Sequence, residues 1–353
     1  MTPPTQLLLH EFIKNRIDIA RAIENPPPRQ KFIVGHLPEE PGVFGLLIGP
    51  DGSRKSWMAL QLAISVAGGR PVAKGPDGSY LWEAPERGRV VYLASEDSAN
   101  VLARRIFSLS KLPGYEWVKD LDEYLDIIPT YSSLTLLSLD KDGKPAKTQE
   151  YQSFLEYAKG ARLIIIDPLA DFFDISESDD RAARGVVQLL REMSRATGAG
   201  VLGVHHQNKI GMLSGETNHQ SGRGSSRFGA GCRWAVVLQP MSEKNCPGIE
   251  KIEDPRDWTR IDESKASYSE EMARALWIKK IDVKDKGKII ASAPAAAVLP
   301  TEEENHLSEV AIEIEKRKAK KGKGKSGERH GEPDEHELAA VTGGKEDEYA
   351  GWK

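Results

Sequence analysis

Lys55 and Ser56 stand side by side behind the glycine-rich turn Gly49–Ser53, and a carboxylate follows each of two later apolar runs, Glu96 after Val90–Ala94 and Asp167 after Leu163–Ile166. This set suits phosphoryl transfer. A nucleoside triphosphate needs a concave run of backbone N–H groups, an ammonium for its β- and γ-phosphates, and a hydroxyl for Mg2+. A carboxylate must also take the proton of an attacking water. Lys55 is the ammonium, Ser56 the hydroxyl, and Glu96 the candidate general base.

The elements that must position these residues follow from the local pattern. Val43–Ile48 carries five apolar side chains in six residues and reads as a buried strand, and Trp57–Val66 reads as a helix. Strand, glycine turn, Lys-Ser and helix, in that order, make a P-loop, with Gly49, Gly52, Ser53, Arg54, Lys55 and Ser56 as the nucleotide-binding set. Arg54 stands where G-x-x-x-x-G-K-[ST] has its second glycine. If that position takes φ > 0, a side chain there costs about 1 kcal/mol, too little to abolish binding. The added charge either helps hold a phosphate or crowds it. A surface turn with an incidental lysine is the alternative; the strand and helix on either side favour the motif.

Val90–Ala94 reads as a second buried strand, ending in Ser95-Glu96-Asp97-Ser98, with Asp97 or Ser98 capping a helix over Ala99–Leu109. A strand neighbouring the P-loop would put Glu96 on the sheet edge where ligands bind in doubly wound folds. The alternative is that Glu96 and Asp97 are only charges favoured at a helix start. Leu163–Asp167 has the pattern of a Walker B strand, whose aspartate faces Mg2+ beside Ser56. Val201–Val204 leads to His205-His206. Adjacent histidines on a strand point to opposite faces and chelate one metal poorly, so one of them is better suited to sensing a γ-phosphate. Next comes a Gly/Ser-rich stretch, Lys209–Cys232, in which Lys209, Arg223 and Arg227 supply charge and His219 and Phe228 offer rings for stacking on bases. A solvated loop is the alternative.

Length and composition frame this reading. The chain has 353 residues, enough for one α/β domain with extensions, and 39% hydrophobic against 29% charged residues describe an ordinary globular protein. With 49 Lys+Arg against 53 Asp+Glu, the formal charge of −4 gives no argument for nucleic acid, which only local basic patches support. Two cysteines, Cys232 and Cys246, are too few for a disulfide framework and lack zinc-site spacing. No apolar run approaches membrane-spanning length and no basic leader precedes Leu7-Leu8-Leu9, so a cytoplasmic protein with no membrane partner is expected. Three regions follow: residues 1–31 as an amphipathic helical arm packing on something, as a subunit-exchange arm or a lid on the sheet; 32–299 as the core; and 300–353 as a charged low-complexity tail expected to be disordered. Ala275–Ile278 and Lys288–Ala291 read as terminal strands, a hairpin separated by the basic Lys279–Lys288.

The ordered motifs, a P-loop, YLASED, LIIIDPL, VLGVHHQNK, GRGSS and RWAVVL, resemble the RepA-type hexameric replicative helicases, RecA-like P-loop ATPases of the AAA class. The resemblance spans about Phe32 to Ala291. It implies an α/β RecA-like fold with a mostly parallel sheet flanked by helices and antiparallel strands at its C-terminal end. It also implies a hexameric ring, ATP and Mg2+ bound between subunits, and single-stranded DNA in the channel. Carried over, Lys55 and Ser56 bind phosphate and metal, Glu96 is the catalytic carboxylate, Asp167 the Walker B residue and His206 the γ-phosphate sensor. Arg233 matches the arginine finger that enters the neighbour's site, and Arg223 a position near the channel loops. The departure is Arg54. Functions left open are a DNA-stimulated ATPase or helicase, an ATP-switched DNA-binding recombination or regulatory protein that does not unwind, and a non-catalytic assembly protein.

Overall fold

Aliphatic runs buried on both faces build the centre of a parallel sheet, because helices cover it from either side. The structure is a computed structural model that describes residues 13, 16–131, 134–142, 144–173, 180–206, 227–246, 252–269 and 275–299. Its strands are β1 (Phe32–Val34), β2 (Leu37–Pro38), β3 (Phe44–Gly49), β4 (Val90–Ala94), β5 (Leu125–Pro129), β6 (Leu137–Leu139), β7 (Pro145–Lys147), β8 (Leu163–Asp167), β9 (Gly200–His206), β10 (Trp234–Pro240), β11 (Trp258–Ala266), β12 (Leu276–Asp285) and β13 (Lys288–Ala296). Its helices are α1 (Ile19–Glu24), α2 (Lys55–Gly68), α3 (Ala99–Ser110), α4 (Gln149–Tyr157), α5 (Asp180–Thr197) and α6 (Arg227–Gly231).

Nine strands form one sheet in the order β13-β12-β11-β10-β3-β9-β8-β4-β5. From β10 to β5 every pairing is parallel; from β10 to β13 every pairing is antiparallel. The expected mostly parallel sheet with antiparallel C-terminal strands is therefore present. Residues of β3, β4 and β8 are buried throughout, and consecutive side chains serve opposite cores. Leu47, Leu163 and Ile165 pack with α2, whereas Ile48, Ile164 and Ile166 pack with Tyr151 and Phe154 of α4 and with Leu190 and Met193 of α5. Leu102 and Leu109 of α3 join the α2 side. Among the described residues, no helix is long and apolar enough to cross a membrane.

Several expectations need correction. β9 and β8 lie between β3 and β4, so the strand carrying Glu96 does not adjoin the P-loop strand. The arm's described part, α1, leaves its apolar face uncovered by the other described residues, with Ile19 73% and Ile23 76% exposed, which leaves its expected role as a subunit-exchange arm or a lid open. Part of Lys209–Cys232 is helical, as α6, and its Phe228 is buried against His205 with ring centroids 5.1 Å apart, so that ring is closed to bases. Lys279–Asp285 continues β12 and does not interrupt the terminal hairpin. β11 was not anticipated. Ser98, not Asp97, caps α3 by accepting from the Val101 N–H.

Candidate functional site

Parallel strands deliver their C-terminal ends to one edge, and here four adjacent ones do so: β3, β9, β8 and β4. β3 runs into the P-loop, β9 ends in His206, β8 ends in Asp167, and β4 is followed at once by Ser95-Glu96. A cavity of about 660 Å3 lies at this edge, lined by Lys55, Ser56, Glu96, Asp167 and His206 together with Gly52 and Arg54 of the turn. Of the residues expected to serve one triphosphate, Gly52, Arg54, Lys55, Ser56, Glu96, Asp167 and His206 line this cavity and Gly49 and Ser53 do not; Arg233, expected to enter a neighbour's site, lies elsewhere.

The P-loop backbone explains its residue types. A Cβ on Gly49 would lie 2.5 Å from the Leu238 carbonyl oxygen and 2.5 Å from Ser53 Oγ, which only glycine tolerates. Gly52 has φ +76° and open space where a Cβ would be. Arg54 has φ 67° and ψ 26°, the left-handed conformation, so the strain expected of a side chain at that position is present. Its guanidinium is engaged by the protein itself, although Arg54 also lines the cavity. Nη1 donates to Thr259 Oγ1 at 2.6 Å and Nη2 to the Arg256 carbonyl at 2.8 Å, bolting the turn to β11. Burial lowers its pKa against the opposing charge of Asp257.

Lys55 Nζ donates to the Pro50 carbonyl at 2.7 Å inside the loop, a position from which it can turn to a phosphate. Ser53 Oγ is buried with no hydrogen-bond partner among the described residues. A glycine-bent turn leading into the N-terminus of α2, with the Lys55 ammonium inside it, fits an incoming phosphate, whereas the Ser53 hydroxyl is fully buried and outside the cavity lining. Across the cavity Asp167 is buried and accepts hydrogen bonds from the Tyr92 phenol, at 2.6 Å, and from Ser56. Burial, reinforced by the charges of Glu96 and Asp97, raises its pKa to about 6 against the pull of those two hydrogen bonds. A buried carboxylate beside a serine hydroxyl is a donor set suited to a hard divalent cation such as Mg2+. His206 connects the two sides: Nδ1 lies 2.8 Å from Asp51 Oδ1 of the P-loop, and Nε2 lies 3.6 Å from Glu96 Oε1.

Arg233 is on the other rim. It precedes β10, whose Trp234 is paired with Gly45 in a parallel register, and its N–H donates to the Phe44 carbonyl at the start of β3. The length of β3, roughly 16 Å, separates it from the P-loop of the same molecule. Lys209 and Arg223 lie outside the described residues, as does the side chain of Arg227.

Sequence reasoning missed Trp57, Tyr92, Asp97 and Arg105 at the site. Arg105, from α3, makes a bidentate ion pair with Asp97, its Nη2 being 3.1 Å from Asp97 Oδ1, and lies 5.4 Å from the Trp57 ring centroid. Arg105 and Trp57 both line the cavity. The available signal was the arginine two helical turns beyond the Glu-Asp pair.

Residues 10–212, more than half of the chain, match the family described as AAA domain. Two solved structures are similar in fold. One is of a DnaB-like replicative helicase, described with its interactions with primase, at 13% identity and a TM-score of 0.48, covering 82% of this chain and 71% of the other. The second is of the RadB recombinase, at 12% identity and a TM-score of 0.40, covering 68% of this chain and 87% of the other.

Proposed function

This chain belongs to the AAA domain family, and we propose that it is a Mg2+-dependent ATPase that assembles as a ring, hexameric by the resemblance of its motifs, and acts on single-stranded DNA as a replicative helicase of plasmid or phage type. The observation that carries this reading is the meeting of Lys55, Ser56, Glu96, Asp167 and His206 around one cavity at the P-loop.

In this reading Lys55 leaves the Pro50 carbonyl for the β- and γ-phosphates, while backbone N–H groups of the glycine turn and of the start of α2 hold phosphate oxygens. Ser56 and Asp167 would hold Mg2+, which neutralises charge developing on those oxygens. Glu96 orients a water for attack on the γ-phosphorus and takes its proton as the bond to the β-phosphate oxygen breaks. His206, poised between Glu96 and Asp51, registers the γ-phosphate and transmits its loss to the segment that follows β9. Arg233 acts on a neighbour's phosphate, a role consistent with its place on the far rim. Lys209, Arg223 and Arg227 contact the DNA. Since Arg54 is held by Thr259 and the Arg256 carbonyl, the departure from the P-loop pattern gives little support to a purely structural use of the loop.

The test is phosphate release with and without single-stranded DNA, alongside mass determination in ATP. Stimulated release by a ring supports the proposal, and strand displacement would add the helicase activity. Release without displacement identifies the ATP-switched DNA-binding alternative. Failure of the assembled protein to bind nucleotide sinks the catalytic reading.

A further inference from the structure

A second hollow, of about 490 Å3, opens between α5 and α6, away from the P-loop cavity. Arg184, Gln188, Arg191 and Arg195 of α5 line it, with Ala230 and Gly231 of α6 opposite. At 100° per residue the four α5 positions fall within about 60° of one another, so they form one stripe, and 11 residues at 1.5 Å extend it over about 16 Å. Arg191 Nη2 is anchored to the Gly231 carbonyl at 2.9 Å. Burial first, then the charges of Arg233 and Arg195, pull the Arg191 pKa down. Lys265, tied to the Gly229 and Ala230 carbonyls at 2.9 and 3.2 Å, adds a further cation behind α6.

Among the described residues the hollow's lining contains no carboxylate, and Glu192, the next residue along α5 after Arg191, is engaged by Lys147. Gathering like charges without acidic partners is unfavourable, and an anion relieves it. We propose that this hollow binds the phosphodiester backbone of single-stranded nucleic acid. A free phosphate or one triphosphate is too short to engage a stripe of this length, whereas successive phosphates along a strand can pair with planar guanidinium forks. Among the described residues the lining has no aromatic ring for a base to stack on, so contact here is to the backbone and independent of sequence. The inference rests on the reading above that single-stranded DNA is the partner, and extends it to a surface outside the segment that follows β9.

The experiment is fluorescence anisotropy of labelled oligothymidylate with the full chain across a salt series, comparing the unmodified protein with an Arg184→Gln/Arg191→Gln/Arg195→Gln variant. Three lost phosphate contacts should reduce the slope of log affinity against log salt by about 2 and weaken binding roughly tenfold or more at low salt. Equal affinity and slope overturn the hollow while leaving the DNA reading intact, whereas no binding by the unmodified protein overturns both. A variant that binds oligonucleotide normally but loses DNA-independent ATP hydrolysis also overturns the inference, assigning the arginines to a neighbouring copy's nucleotide. Should the triple variant fail to fold, Gln188→Cys carrying a photoreactive maleimide replaces it, since Cys232 and Cys246 are both buried. Crosslinking of the oligonucleotide at that position is expected, and its absence overturns the proposal.

Discussion

The Tyr92 phenol donates a 2.6 Å hydrogen bond to Oδ2 of Asp167, so the candidate metal-facing carboxylate is held from behind by a buried aromatic on the adjacent strand. Because Tyr92 OH can donate only one proton, it engages Oδ2 alone, and Ser56 supplies the carboxylate's other side-chain hydrogen bond. Tyr92→Phe should cost roughly 1–3 kcal/mol of stability. It should also move the acidic limb of the ATPase pH profile upward, since Asp167 loses a bond that favours its charged form. An unmoved limb would separate Tyr92 from the chemistry.

Asp167 also makes stability depend on pH. Its folded pKa of about 6 lies above the unfolded value of about 3.9, so its contribution is favourable below pH 4 and is lost as pH rises through 6. The full difference is on the order of 3 kcal/mol. Without Mg2+, Asp167→Asn should therefore raise the melting temperature at pH 8 and have little effect at pH 4, while abolishing Mg2+-dependent hydrolysis. Thermal melts at the two pH values together with phosphate release check both halves.

Arg54 offers a direct reading of backbone strain. Arg54→Ala keeps the left-handed residue and loses the bonds to Thr259 and the Arg256 carbonyl, whereas Arg54→Gly loses the same bonds and relieves the strain. The glycine variant should be more stable than the alanine variant by about 1 kcal/mol, and both less stable than the parent. Denaturant midpoints at constant m-value measure this.

Removing one cation or one carboxylate should divide binding from turnover. Lys55→Ala is expected to weaken nucleotide binding and eliminate hydrolysis. Glu96→Gln should keep binding and lower turnover at least ~100-fold, the general-base share of the rate. Equal losses of affinity in both variants, measured with a fluorescent nucleotide, would remove Glu96 from its assigned role.

Arg105 should matter through Asp97. With its guanidinium gone, Asp97 becomes a free carboxylate close to Asp167, and Arg105→Ala should increase Mn2+ binding in the absence of nucleotide while lowering turnover about tenfold. Adding Asp97→Asn should restore ordinary Mn2+ binding. Electron paramagnetic resonance titration of Mn2+ reads this without relying on hydrolysis.

β3, β4, β8 and β9 were legible because each is an aliphatic run buried on both faces, and the motif that follows each of them places its functional residue at a strand end. β11 was not, since Trp258–Ala266 interleaves buried Ile261 and Glu263 with half-exposed Arg260 and Asp262 and shows no apolar run. That omission hid the fate of Arg54, whose partner Thr259 belongs to that strand. Phe228 was misread because a ring near glycines and serines resembles an exposed one; the short helix that turns it onto His205 leaves no trace in composition. The Arg105–Asp97 pair escaped notice because it joins a loop to a helix and follows no single period.

Arg233 and Lys55 occupy opposite margins of the same rigid sheet, and no change of rotamer spans that distance. If both are required at a single phosphate, one molecule can never complete the reaction alone, and turnover per molecule must fall on dilution below the dissociation constant of the assembly. Mixing Lys55→Ala and Arg233→Ala proteins, each inactive by itself, should then restore part of the activity through hybrid contacts, with a second-order dependence on protein concentration.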